Sequence, residues 1–208
     1  VAAKRAEPGE PACACHGSLL SLPSRGSAEP IEAVPYLRLP KQADSAQSRR
    51  IGIVWAAGRE LNNPVLKRDY ARRTLPTEAL ELLLRGLREL NLISVNLQVG
   101  PDREELPADL AALFDEAMPS NADFLETGHW MEGLQAVISV DTAMAHQAGA
   151  QGRPCWVLLP WSADPRWLRQ RSDTPWYPSL TLLRQGPERL WAPVIHSLLD
   201  AIAHGRTP

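Results

Sequence analysis

The sequence predicts an α/β fold, with a parallel sheet covered by helices on both faces. Short runs such as residues 51–55 and 136–140 are apolar throughout, and segments with apolar residues at helical spacing separate them. Strands that are apolar on both faces are typical of parallel sheets, because the crossover helices cover both sides. A chain of 208 residues can also bury a core without disulfide bonds. We therefore expect a Rossmann-like domain.

The individual elements follow from apolar periodicity, beginning near residue 50. The first strand is predicted at 51–55. A helix is predicted at 76–90, where the apolar side chains recur at helical spacing: Leu80, Leu83, Leu84, Leu87 and Leu90. Further strands are predicted at 92–98, 136–140, 154–159 and 179–183. Further helices are predicted at 106–118, from Asp141 to about Ala150, and at 190–203.

Residues 1–49 differ from the rest of the chain, since they are rich in Pro, Ser, Ala and Gly with only short apolar pieces. This composition indicates a tail, a linker or part of another unit. The folded domain is expected to be 50–208. Because the sequence begins with Val1 rather than Met, a fragment of a longer polypeptide is one interpretation.

Composition argues against several classes of function and partner. The net charge of −2 provides no positive field for nucleic acid or an anionic membrane. The three cysteines cannot all pair and Cys155 lies in an apolar run, which is typical of a reducing compartment such as the cytoplasm. We also expect no transmembrane helix, since no apolar run is long enough, and no secretory signal.

The most specific candidate site is the junction at which the 136–140 strand enters a helix through Asp141 and Thr142. The first amides of a helix lack internal partners and carry the positive end of its dipole, so a phosphate fits there. Thr142 and His146 are four residues apart and share a helix face. The alternative is that Asp141 is only a helix cap and His146 a packing residue.

Other loops at the same sheet edge could add contacts to a ligand. Basic side chains that suit phosphate follow the first strand: Arg59, Lys67, Arg68, Arg72 and Arg73. Gln98, at the end of the second strand, could hydrogen-bond a base or a sugar, or could pair only with backbone. The aromatic side chains in 160–178 could stack on a ligand, but we favour a structural role in holding the loop.

Other motifs are weak or missing. The Cys13-Ala-Cys-His16 segment has no downstream residues that complete a zinc site at the usual spacing, so we expect no metal. The glycine-rich signatures of dinucleotide and triphosphate sites are absent, which makes an NAD-dependent oxidoreductase a poor alternative. No pair of carboxylates stands out as a general acid and base.

Residues 138–160 closely resemble the C-terminal domain of bacterial glycosyltransferases that are often joined to tetratricopeptide repeats. That domain is similar to the ADP-heptosyltransferases of glycosyltransferase family 9. The similarity extends to shorter segments elsewhere in the chain: 18–23, 35–37, 51–58, 73–76, 173–178 and 183–185.

This resemblance implies the GT-B architecture of two Rossmann-like halves. Residues 50–208 would form the C-terminal, donor-binding half, and 1–49 a linker and the tail end of the N-terminal half. The donor- and phosphate-binding residues would be Asp141, Thr142, Ala143, Met144, His146, Arg73, Gln98 and Gly58. The resemblance implies a nucleotide-sugar substrate for hexosyl- or heptosyl-type transfer, no metal or cofactor, and an unidentified protein or glycan acceptor. The general base would come from the missing N-terminal half, with His146 as the one candidate here, so the isolated chain is expected to be inactive.

Two segments depart from the family pattern. The loop at 56–63 lacks the family's Gly-Asn-Pro and the following His, and 127–131 reads Thr-Gly-His-Trp-Met where the family tends to have Asp-Thr-Ala. We expect both segments to be donor-facing loops. The alternative function is therefore a non-catalytic binding or interaction module that has kept the fold and lost the transferase activity.

Overall fold

One sheet of six parallel strands organises the part of the chain that the structure describes. The computed structural model describes residues 35–39, 48–59 and 62–208, which fall within one compact unit, Ala33–Pro208. The strands are β1 (Arg50–Val54), β2 (Ile93–Asn96), β3 (Glu116–Ala117), β4 (Ala136–Val140), β5 (Cys155–Leu159) and β6 (Leu180–Arg184). Their order, β3-β2-β1-β4-β5-β6, is that of a Rossmann sheet. The predicted fold class is confirmed.

Helices connect these strands and cover both faces of the sheet. They are α1 (Pro64–Arg73), α2 (Thr77–Glu89), α3 (Pro101–Glu104), α4 (Ala108–Ala111), α5 (Phe124–Glu132), α6 (Ala143–Ala150) and α7 (Ala192–Ala203), with a 3₁₀ turn at Pro165–Trp167. One apolar layer joins α2 and α7 to the sheet, and a second layer joins α6 to the opposite face. Successive β4 residues alternate between them: Ile138 lies in the first layer and Val137 in the second.

Close packing in the second layer depends on a glycine in the central strand. A Cβ built on Gly52 would lie 2.5 Å from Cδ1 of both Leu97 and Leu134, so any larger residue would displace these side chains. The hydrogen atom at this position lets the buried leucines reach the sheet.

The helix predicted at 106–118 is wrong beyond its first turn. Only α4 is helical there, and β3 pairs with β2 at the sheet edge. The Asp115 carboxylate is the physical reason, since it accepts hydrogen bonds from Ser94 N (2.8 Å) and Ser94 Oγ (2.9 Å). The Asp115 amide donates in turn to Ser94 O (3.1 Å), so the chain is drawn alongside β2.

The expectation of a donor-facing loop at 127–131 is also wrong, because these residues lie in the helix α5. Asp123 and Glu126 form a capping box that begins the helix, and Thr127, Gly128 and Met131 are buried. The sequence prediction missed α1 as well. None of its residues is buried, so it has no apolar periodicity to detect.

Some predictions fall outside the described residues. These are the Cys13-Ala-Cys-His16 segment and the family-like segment at 18–23. The domain boundary at residue 50 stays a prediction. In the described ranges, no helix has the length and apolar character needed to cross a bilayer, and no group of His, Cys, Asp and Glu side chains is arranged to hold a metal ion.

Candidate phosphate-binding site

The site begins at the point where the strand order of the sheet reverses. The first strand in the chain, β1, lies between β2 and β4, with Val54 of β1 in register with Ser139 of β4. Ligands of such sheets bind in the crevice beyond the carboxyl ends of the strands at this reversal. The loop after β1 and the junction between β4 and α6 therefore lie side by side, as the sequence analysis requires.

The N-terminus of α6 is capped at one amide and open at others. The Thr142 side chain accepts a hydrogen bond from Met144 N (3.2 Å) and lies 3.0 Å from Ser139 Oγ. Within the described residues, the amides of Thr142 and Ala143 have no hydrogen-bond acceptor, and Ala143 is exposed. Of the amides in the predicted set, that of Met144 is thus already satisfied, whereas two others are available to an anion.

Arg73 reaches this junction from the end of α1. Its Nη1 donates to the carbonyl oxygen of Asp141 (2.9 Å) and lies 4.0 Å from Asp141 Oδ2, while its Nε lies 2.8 Å from Asp69 Oδ2. The Asp141 side chain is only 5% exposed, and no donor in the described part of the chain hydrogen-bonds its carboxylate. An ionised carboxylate can accept further hydrogen bonds, so this group can bind a ligand hydroxyl or a water.

Gln98 and Gly58, which were also predicted to bind donor, occupy different environments. Gln98 is buried, and its Oε1 accepts from Trp55 N (3.1 Å) and Ala56 N (2.9 Å). Its Nε2 donates to Val99 O (3.1 Å), so the amide follows the backbone-pairing alternative and holds the end of β1. Gly58 is exposed, with open space where a side chain would lie.

The other basic residues of the first loop and α1 do not contact the junction. Arg59 pairs with Glu105 (2.7 Å), and Arg72 pairs with Asp69. Lys67 and Arg68 are exposed on α1. Of the predicted basic set, Arg73 is the residue that the fold brings to the junction, through its contact with Asp141.

His146 lies one turn into α6 and contacts three neighbouring side chains. Its ring stacks on Trp167 with centroids 5.0 Å apart, Nδ1 lies 3.2 Å from the Tyr177 hydroxyl, and Nε2 lies 3.4 Å from Arg166 Nη1. A guanidinium can only donate, so Nε2 accepts from it and Nδ1 carries the proton. Burial lowers the pKa of His146 and the charge of Arg166 acts in the same direction, which favours the neutral ring.

The aromatic loop after β5 is fixed by packing, in agreement with its expected structural role. Trp167 is fully buried, and Trp176 Nε1 donates to the Arg166 carbonyl (2.7 Å). Trp161, in contrast, is 52% exposed. The fold thereby brings Arg166 against His146, a contact that the sequence analysis missed because these residues are twenty positions apart. The local sequence did contain a signal for the turn that carries Arg166, because Asp164 is an N-cap and proline follows it.

The neutral state of His146 makes a prediction about acid stability. Because its folded pKa lies below the ordinary value of 6.5, the unfolded chain binds a proton more readily. This contribution to stability is complete above about pH 6.5 and is lost as the pH falls below it. Urea unfolding of wild type from pH 7.5 to 5 should show the decline, and His146→Gln should show a shallower one. The exposed His196→Gln is the control, and equal slopes for wild type and both variants would rule out this role.

Comparisons with known proteins address the fold. No protein-family model matches this chain, and no curated protein matches it. E. coli heptosyltransferase WaaC with ADP is similar in structure, with a TM-score of 0.56 and 17% identity over 77% of this chain and 45% of that one. WaaC with ADP-2-deoxy-2-fluoro heptose gives 0.54 and 17% identity over 76% and 44%. E. coli ADP-heptose lps heptosyltransferase II gives 0.54 and 16% over 77% and 47%. The chain thus spans less than half the length of these heptosyltransferases and shares its Rossmann-like fold with them.

Proposed function

We propose that this chain is the nucleotide-sugar-binding half of a glycosyltransferase, with the donor pyrophosphate at the junction of β4 and α6. One observation carries the proposal: the amides of Thr142 and Ala143 lack acceptors in the described residues, and the Arg73 guanidinium reaches the same junction, where it donates to the Asp141 carbonyl. The fold shared with heptosyltransferases supports it, since one of those structures is a complex with ADP and another with a fluorinated sugar-nucleotide analogue.

The chemistry of transfer suits this arrangement. When the bond between sugar and phosphate breaks, negative charge grows on the departing nucleoside diphosphate. Backbone amides that already point at that charge, together with Arg73, stabilise it without any reorganisation. We propose that this electrostatic stabilisation replaces a metal ion or cofactor, as the family resemblance implies.

The remaining residues are assigned by their contacts. The Asp141 carboxylate, next to Arg73, accepts a hydrogen bond from a ligand hydroxyl. Gly58 leaves space for the ligand beside the end of β1. Gln98 holds that strand end and does not touch the ligand.

The proposal assigns the acceptor and the general base to an N-terminal half, joined to the domain through residues 1–49. The isolated chain is then expected to bind a nucleoside diphosphate and to transfer nothing. A cytoplasmic location, an association with tetratricopeptide repeats and a protein or glycan acceptor are parts of the same proposal.

Calorimetric titration of the full chain with ADP, GDP, UDP and CDP tests this function. We expect saturable binding of at least one nucleotide with a Kd of about 1 mM or tighter, which corresponds to roughly −4 kcal/mol. Adenosine is the control for ADP, because it lacks the pyrophosphate and should bind more weakly. The absence of heat with all four nucleotides at millimolar concentration would refute the proposal.

The second candidate is a non-catalytic module on the same fold. It is favoured by α5, which buries Thr127 and Gly128 in a helix where the family pattern led us to expect a donor-facing loop. Ala143→Asp in a longer protein that contains the N-terminal half distinguishes the two candidates, because a carboxylate beside the open amides repels the donor pyrophosphate. Transfer that continues at the wild-type rate would identify the pocket as vestigial, whereas its loss would support the transferase.

A further inference from the structure

Arg166 is a second cation at the same junction, although neither the sequence pattern nor the family resemblance points to it. Its Nη1 lies 3.4 Å from Nε2 of His146. His146 follows Ala143, whose amide is open, by about one turn of α6. Side chains on a helix lean toward its N-terminus, so the contact of Nε2 with Arg166 brings a guanidinium to the first turns of α6. Hydrogen bonding by Asp164 raises the pKa of Arg166, and the charge of Asp141 at the junction acts in the same direction.

The partners of Arg166 hold its guanidinium in place but leave part of the side chain accessible to a ligand. Its Nε and Nη2 donate to Asp164 Oδ1 (2.9 Å) and Oδ2 (3.1 Å), and its side chain is 51% exposed. Because both groups are partly exposed, solvent screens this pair, and a phosphate of higher charge can compete with the carboxylate for the guanidinium. The hydrogen bond from Arg166 lowers the pKa of Asp164, and the charge of Arg73 contributes to the shift, as expected if both arginines lie around one crevice.

His146 provides a fixed acceptor for this guanidinium. Stacking on Trp167 and the contact with Tyr177 fix the His146 ring. Its Nε2 can therefore accept a hydrogen bond from Arg166 while the rest of the guanidinium stays available to a ligand. An Arg side chain loses much entropy when it is immobilised, and a fixed neighbour reduces the loss on binding. The arrangement fits a positioning residue rather than a catalytic acid or base.

We propose that Arg166 binds the pyrophosphate of the donor together with Arg73, and that His146 positions the Arg166 guanidinium. This proposal rests on the proposed function, since it assigns two further residues to the same site. It gives the ligand a cation from the loop after β5 in addition to the one from α1. Asp164 competes with the phosphate for the same guanidinium and releases it when the ligand arrives.

The test is a set of calorimetric titrations of the full chain with ADP and with adenosine. Loss of a charge-assisted hydrogen bond to phosphate should weaken ADP binding in Arg166→Gln by ~10- to 100-fold, with adenosine binding unchanged. The matched control is Arg171→Gln, which removes the same charge from an exposed ion pair in the same loop. ADP binding that is equally tight in wild type and Arg166→Gln would overturn the proposal while leaving the proposed function intact. A wild type that does not bind ADP but binds another nucleotide is tested with that nucleotide, and a wild type that binds none overturns both proposals.

Two further variants distinguish positioning from a general effect on folding. His146→Gln keeps an acceptor near the Nε2 position and should retain most of the ADP affinity, whereas His146→Leu should lose as much as Arg166→Gln. Equal affinity in both His146 variants overturns the positioning role.

Asp164→Asn removes the competing carboxylate and should bind ADP severalfold more tightly. This gives a readout that remains if Arg166→Gln fails to fold, and unchanged or weaker binding overturns the competition with phosphate.

Discussion

Replacement of Ala143 by aspartate should abolish ADP binding while leaving the protein as stable as wild type or more so. Ala143 is exposed at the first position of α6, next to the amides that we assign to the pyrophosphate. A carboxylate at this position repels the phosphate at close range, which we expect to cost about 3 kcal/mol, or ~100-fold in affinity. The same carboxylate interacts favourably with the helix dipole, a gain of roughly 0.3–1 kcal/mol.

The opposite signs of these two effects make the experiment specific. Calorimetry measures the binding, and thermal unfolding of the same preparations measures the stability. Ala143→Asn is the matched control, because it has nearly the same shape without the charge and should keep most of the affinity. ADP binding by Ala143→Asp at wild-type strength would mean that the phosphate lies elsewhere.

Trp167→Ala should cause the largest loss of stability among single substitutions in the loop after β5. Trp167 is fully buried in the second apolar layer, against the face of the His146 ring. Removal of a buried tryptophan costs about 3–5 kcal/mol through lost apolar burial and the cavity left behind. Since the indole also supports His146, nucleotide binding should weaken in the molecules that remain folded.

Urea unfolding measures this loss, and Trp161→Ala provides the control in the same loop. Trp161 is 52% exposed, so its truncation should change the free energy of unfolding by only about 0.5 kcal/mol. If the two variants were equally stable, Trp167 would not hold the loop in the way the structure indicates.

The parts of the fold that were predictable are those in which local pattern and tertiary packing agree. The runs that form β1, β4 and β5 are buried on both faces, so their apolar character is continuous in the sequence. The position of Asp141 between β4 and α6 follows from the same pattern, since a buried strand is followed at once by a helix with a capping threonine.

The elements that escaped prediction depend on contacts between distant residues. A two-residue strand such as β3 has no pattern of its own and is fixed by the bonds between Asp115 and Ser94. The contact between Arg166 and His146 likewise exists only after the loop is pinned by Trp167. Gln98 had a correct location at the sheet edge, but its partners could be identified only from the structure.

The most direct measurement is the response of backbone amide resonances to ADP in the isotopically labelled chain, with adenosine as the reference. If the open end of α6 accepts the pyrophosphate, the Thr142 and Ala143 amide resonances should shift saturably with ADP and remain in place with adenosine. Saturable ADP binding that shifts resonances elsewhere and leaves these two amides unchanged would contradict a phosphate site at this junction.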